Sequence, residues 1–263
     1  MINLQERLSD FSYGFGVTRE TLALMNSVGL SSTPFLPSLL HEKEIGFDVG
    51  FKDNGRVVIL QFKLGNLLER FKRASPTQTI PDLDRPFWRF NVDTAAHQFL
   101  RLAEFETAGA EAYYVAPKLS TWKHFERAFQ ADKIMERSVL IKPSEIAAGI
   151  AAHGHSAGPH RIVYDQTRQY VCSEPSKLPS HRPEEFAAEV ATKVRESGAP
   201  LEYSIKMLYE RARDDRAVGT LADTREQQIF ERAKDRLSGM AAIVGLEAWS
   251  QGAQVLFVTD PKP

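Results

Sequence analysis

The sequence predicts an α/β chain: a mixed central sheet flanked by helices, followed by a mainly helical C-terminal region. Three observations predict it. A strand-turn-strand pattern fills 44–62, helix-like and strand-like patterns alternate from Phe87 to Ile141, and apolar residues at helical spacing fill most of 183–250. The division expected is an α/β domain at 1–178 and a mainly helical subdomain at 179–263.

Each element has a local reason. From Thr18, the residues Leu22, Leu24, Met25 and Val28 share one side of a predicted helix that Gly29 can close. Phe47, Val49 and Phe51 alternate with Gly46, Asp48 and Gly50, the period of a half-buried strand. Asn54-Gly55 then favours a tight turn, because both residues tolerate positive φ, and Val57-Val58-Ile59-Leu60 is the β-branched and apolar run of a buried second strand. Together they predict a hairpin.

Leu64 to Pro86 reads as a short helix and a long loop interrupted by Pro76 and Pro81. Phe87 to Val92 is a predicted strand, and Asp93 caps a helix carrying Ala96, Phe99, Leu100 and Ala103 on its core face, closed by Gly109. Ala112 to Ala116 is a strand stopped by Pro117, and Ser120 opens a helix through Phe129. A strand follows at Ser138–Ile141, then a short Ala-rich helix opened by Ser144. His160–Asp165 and Tyr170–Ser173 form a second predicted hairpin. Three helices are expected over 183–250, opened by Pro183 with Glu184 and Glu185, by Leu201, and by Thr224 with Gln227 at capping-box spacing. Val255 to Val258 is a last strand, joining the main sheet or lying at an edge.

Composition narrows the function classes. Of 263 residues 43% are hydrophobic and 25% charged, the balance of a chain that buries a core. Lys plus Arg number 33 against 34 Asp plus Glu, so any nucleic-acid surface has to be local. A single cysteine, Cys172, excludes an internal disulfide framework and suits a reducing compartment. No apolar run reaches the length of a membrane span, and Met1 to Glu6 lacks a basic start leading into an apolar stretch, so a cytoplasmic protein is expected.

Gly46-Phe47-Asp48-Val49 followed by Gln61-Phe62-Lys63 puts an acid, an amide oxygen and an amine on two neighbouring predicted strands. At these residues the chain resembles the PD-(D/E)xK nucleases, in particular the Mrr-like restriction endonucleases with a Gln-x-Lys motif. The resemblance runs over roughly residues 12 to 130 and includes a later helix, strand and helix ending near Phe129. No Pro leads into Asp48, where the superfamily's name would have one. The resemblance implies a metal-dependent endonuclease hydrolysing phosphodiester bonds in DNA, in defence against foreign DNA. The alternative is a catalytically inactive member of the fold that binds nucleic acid or a protein partner.

The chemistry fits the residue types. Asp48 and the Gln61 side-chain oxygen are hard oxygen ligands suited to Mg²⁺ or Mn²⁺, and Lys63 is placed to position or deprotonate the attacking water. For the third acid, Glu44 shares the period-two face of Asp48, whereas Glu20 stands on the first predicted helix; Glu44 is preferred. Arg70, Lys72 and Arg73 form a basic group expected to contact phosphates, with Trp88 and Arg89 as possible additions. His97-Gln98 falls where the superfamily keeps a polar residue turned towards the site. His153, His155 and His160 have a spacing compatible with zinc, but no Cys accompanies them and the Gly-rich run 153–159 reads as a loop. A homodimer is expected because cutting both strands of a duplex suits two symmetry-related sites, and a regulatory protein partner is the other expected contact.

Overall fold

The structure is a computed structural model and describes residues 8–41, 43–47, 49–73, 76–214 and 220–261. The chain is α/β, with eight α-helices and ten strands among the described residues. It splits into two compact units, each assembled from three segments. No described helix is long and apolar enough to cross a membrane.

The first unit comprises Met1–Thr21, Phe62–Ala103 and Tyr113–Glu185. It holds a five-stranded antiparallel sheet whose strands, in hydrogen-bonding order, are β3 (Asn66–Leu68), β4 (Phe87–Asp93), β7 (Pro159–Tyr164), β8 (Gln169–Cys172) and β9 (Pro175–Lys177). The predicted second hairpin is present, with Ile162 opposite Val171. Leu64 to Leu68 forms no helix. Asn66 and Leu68 pair instead with Arg89 and Phe87, where the apolar β4 offers a ladder that a short, proline-followed helix could not match. On one face Phe87, Val163 and Cys172 form a small core closed by Leu68, Phe71, Leu83 and Tyr170. Burial pushes the Cys172 thiol up to about 12, so it packs as a small apolar residue.

The same unit pairs β5 (Glu111–Pro117) antiparallel with β6 (Ser138–Ile141), from Tyr114 opposite Ile141 to Pro117 opposite Ser138. Between them lies α3 (Trp122–Gln130), capped by Thr121, whose hydroxyl accepts the His124 N–H, and buried through Phe125 and Ala128. The first helix, α1 (Asp10–Ser27), starts eight residues before Thr18. Glu20 therefore sits in mid-helix, not in a first turn. Its two carboxylate oxygens accept the N–H groups of Ile134 (2.8 Å) and Met135 (2.7 Å).

The second unit comprises Leu22–Gln61, Glu104–Ala112 and Phe186–Pro263. Here the predicted first hairpin is overturned. The strand β2 (Asn54–Phe62) pairs antiparallel with β10 (Ala253–Asp260), not with 46–51, and β10 pairs on its other side with β1 (Ser31–Pro34). The last strand is therefore interior, flanked by both partners. Its five consecutive buried residues, Val255 to Thr259, offer β2 a far longer apolar ladder than the glycine-interrupted 46–51 segment.

Described residues in and beside that segment bond elsewhere. Ile45 donates to the Arg232 carbonyl and accepts from the Lys234 N–H, while Phe51 and Asp53 accept the Glu202 and Leu201 N–H groups that open α6 (Leu201–Asp214). These carbonyls satisfy orphan donors of a helix start. Phe47 packs edge-on to Phe257 with ring centroids 5.2 Å apart. Gly55 lies inside β2 opposite Thr259 and takes no positive φ. Its smallness is needed because an added Cβ would stand 2.6 Å from the Val258 carbonyl oxygen and 2.8 Å from Leu201 Cβ.

Among the described residues the C-terminal helices number four. After α5 (Pro183–Ser197) and α6, the expected third helix divides into α7 (Thr220–Arg232) and α8 (Arg236–Ser250). Thr224 is thus inside α7. The break falls at Ala233, which bridges to Ile45, and Asp235 caps α8 by accepting the Ser238 N–H at 2.8 Å.

Candidate active site

Lys63 follows the last residue of β2, and its main-chain N–H donates to the Val115 carbonyl at 3.0 Å. This fixes the side chain in a pocket of about 250 Å³ whose other polar lining groups are Asn91 and Asp93 at the end of β4 and Gln98 in the first turn of α2 (His97–Thr107). The Lys63 Nζ donates to Gln98 Oε1 at 2.6 Å and stands 5.8 Å from the Tyr114 ring centroid. Of the pair His97-Gln98, it is Gln98 that meets Lys63.

The pocket makes Lys63 electrostatically unusual. Burial among Tyr114 and Phe99 lowers its pKa, and the Asp10 carboxylate, at the start of α1, partly opposes this. Burial also raises the Tyr114 phenol, which stays protonated. Asp10, which acts on Lys63 through its charge and does not line the pocket, is an influence sequence reasoning missed. The signal was an acid in a first helical turn, concealed because the helix was expected to begin at Thr18.

The other expected residues lie apart from this geometry or outside it. Gln61 is buried, is Cα partner to Ala253, and donates its amide N–H to the Gly252 carbonyl at 3.1 Å. The ladder position opposite Gln61, expected to bring in Asp48, therefore belongs to β10. Asp48 itself lies outside the described residues. Glu44 is exposed, beside the buried Ile45 that is hooked to Arg232 and Lys234. Glu20, the alternative third acid, is 5% exposed and committed to two backbone N–H groups.

Arg70, Lys72 and Arg73 are exposed on the loop after β3, not on a helix. The loop is tied to the sheet by Arg161, which donates to the Lys72 carbonyl at 2.8 Å and stacks over Phe71. Arg161 adds a cation to this surface. His160 contacts the Ser173 hydroxyl through Nδ1 and the Ser156 carbonyl through Nε2, so both ring nitrogens are taken. Among the described residues no group of three His, Cys, Asp or Glu side chains is arranged to hold a metal ion.

Chain and site together define an α/β protein with a half-buried, amide-paired lysine in a small pocket. No protein-family model, curated protein or solved structure matches it.

Proposed function

We propose that the chain is a metal-dependent endonuclease hydrolysing phosphodiester bonds in DNA, with Lys63 as its central group. The observation that carries this reading is the Lys63–Gln98 pair at 2.6 Å in a small pocket that also holds Asn91 and Asp93. Gln98 takes one of the three ammonium N–H donors and leaves two for the non-bridging oxygens of a phosphodiester, where they offset charge developing in the transition state. Burial lowers the Lys63 pKa, which eases loss of its proton, and the neutral amine is the form that accepts a proton from water. The exposed Arg70, Lys72 and Arg73 supply phosphate contacts of the positioning kind.

The Mg²⁺ or Mn²⁺ of this reading needs carboxylates. Asp48, its expected ligand, lies outside the described residues, and the described acids form no three-ligand group. Gln61, the other expected ligand, is buried and its side-chain nitrogen donates to the Gly252 carbonyl. The steps derived above therefore rest on Lys63 and Gln98.

The test is incubation of purified protein with supercoiled, linear and single-stranded DNA and with RNA, in Mg²⁺, Mn²⁺ or EDTA. Cleavage of DNA that stops with EDTA, with Lys63→Ala and with Asp48→Ala is the expected result. Cleavage unchanged in Lys63→Ala overturns the assignment. The burial of Gln61 favours a second reading, a nuclease-like protein that binds nucleic acid or a protein partner without cutting. Retention of DNA without cleavage in either metal selects it.

A further inference from the structure

A larger cleft of about 660 Å³ lies elsewhere in the first unit, between the exit of β5, the turn leading into β6, the β7–β8 turn and the approach to α5. Nothing in the nuclease reading uses it. Its charged lining residues are Lys118, Arg137 and Arg182 against Glu136 and Glu184, and Ser138, Thr167 and Ser180 add hydroxyls.

The cations and acids differ in how far they are already satisfied. Glu136 pairs with Lys133 at 3.2 Å, outside the cleft lining. Arg182 is spoken for by Glu185. By contrast Lys118 donates to a neutral acceptor, the Gln166 carbonyl, at 2.8 Å, and makes no ion pair among the described residues. Asp165 and Glu136 act on it only from a distance, and burial outweighs them, lowering its pKa. Arg137 is exposed and its guanidinium pairs with no carboxylate among the described residues. His181 is held by Glu145 at 2.6 Å. The start of α5 adds little, since Pro183 has no N–H and Glu184 and Glu185 already occupy the first turn.

Lys118 and Arg137 are backbone neighbours, the Lys118 N–H donating to the Arg137 carbonyl at 2.8 Å, so a half-buried ammonium and an exposed guanidinium without a carboxylate partner among the described residues share one polar cleft and form an anion receptor. The volume exceeds what a bare ion fills and lies in the range of small-ligand sites. We propose that this cleft binds a small phosphorylated ligand of nucleoside monophosphate size, with its phosphate between Lys118 and Arg137.

Calorimetry in EDTA tests it, using inorganic phosphate, AMP, succinate and a short single-stranded oligonucleotide as probes, with wild type, Arg137→Ala, Lys118→Gln and Lys63→Ala proteins. Arg137 is exposed, so Arg137→Ala is expected to keep the wild-type melting midpoint. Expected are saturable binding of AMP, tighter than phosphate, a loss of at least tenfold in Arg137→Ala and in Lys118→Gln, and unchanged affinity in Lys63→Ala. No AMP binding overturns the proposal, as does equal affinity for succinate. Oligonucleotide binding that depends on Arg137 without AMP binding also overturns it and makes the cleft a strand contact. Loss in Lys63→Ala instead moves the ligand to the smaller pocket.

Discussion

Lys63 and Gln98 are joined by a 2.6 Å hydrogen bond between residues thirty-five positions apart, one just past a strand and one in the first turn of a helix. The bond leaves the lysine two donors and a buried stem. Because burial lowers its pKa below the ordinary 10.5, the folded chain binds fewer protons than the unfolded chain between the folded value and 10.5. Stability therefore rises with pH across that window, and the penalty of the buried charge is fully present below it. Lys63→Met is expected to flatten this rise. Urea midpoints of the two proteins from about pH 7 to pH 10.5 check it; parallel curves would mean that Lys63 is not desolvated.

Glu20→Ala is expected to cost stability and leave any activity per folded molecule intact. It strips the acceptors from two backbone N–H groups, those of Ile134 and Met135, in a buried setting. A loss of about 2–4 kcal/mol follows from the cost of unsatisfied buried donors. Denaturant unfolding measures it, and a catalytic defect at full stability would return Glu20 to the site.

Gln61→Glu is expected to destabilise the fold and not to tighten metal binding. The amide donor to the Gly252 carbonyl would be replaced by a carboxylate facing a carbonyl oxygen in a buried place. A cost of about 2–4 kcal/mol at neutral pH is expected. Protonation of the introduced carboxyl restores a donor, so the cost shrinks in acid. Thermal melts at two pH values, with a Mn²⁺ titration alongside, separate the outcomes. Tighter Mn²⁺ binding at wild-type stability would place Gln61 at a cation after all.

Gly55→Ala distinguishes a strand from a turn. In β2 the new Cβ would meet the Val258 carbonyl and Leu201, so overpacking of about 1–3 kcal/mol is expected. Chemical denaturation reads it directly. A neutral effect would show that β10 does not press on this position.

The sequence by itself determined the elements whose pattern is local. Val57–Leu60, Ala112–Ala116 and Ser138–Ile141 are strands because contiguous apolar and β-branched residues leave a buried ladder as their best arrangement. Pro183 opens a helix because its fixed φ suits a first position, and Gly198 follows the helix end with φ +58°. The approach of Gln98 to Lys63 joins a strand end to a helix start, and the expectation that a polar residue at 97 or 98 faces the hairpin comes from the resemblance and not from a local pattern. What only the tertiary structure decided was which strand stands beside which. The 46–51 segment alternates like a strand, but two glycines weaken it and its neighbouring carbonyls serve the start of α6. The apolar run at 253–260 takes its place from the far end of the chain. Alternation reports that one face is buried and says nothing of the partner, because pairing is settled by competition among all the ladders a chain can form. The same competition turned Gln61 towards Gly252, made Glu20 a backbone acceptor and brought Asp10 within electrostatic reach of Lys63.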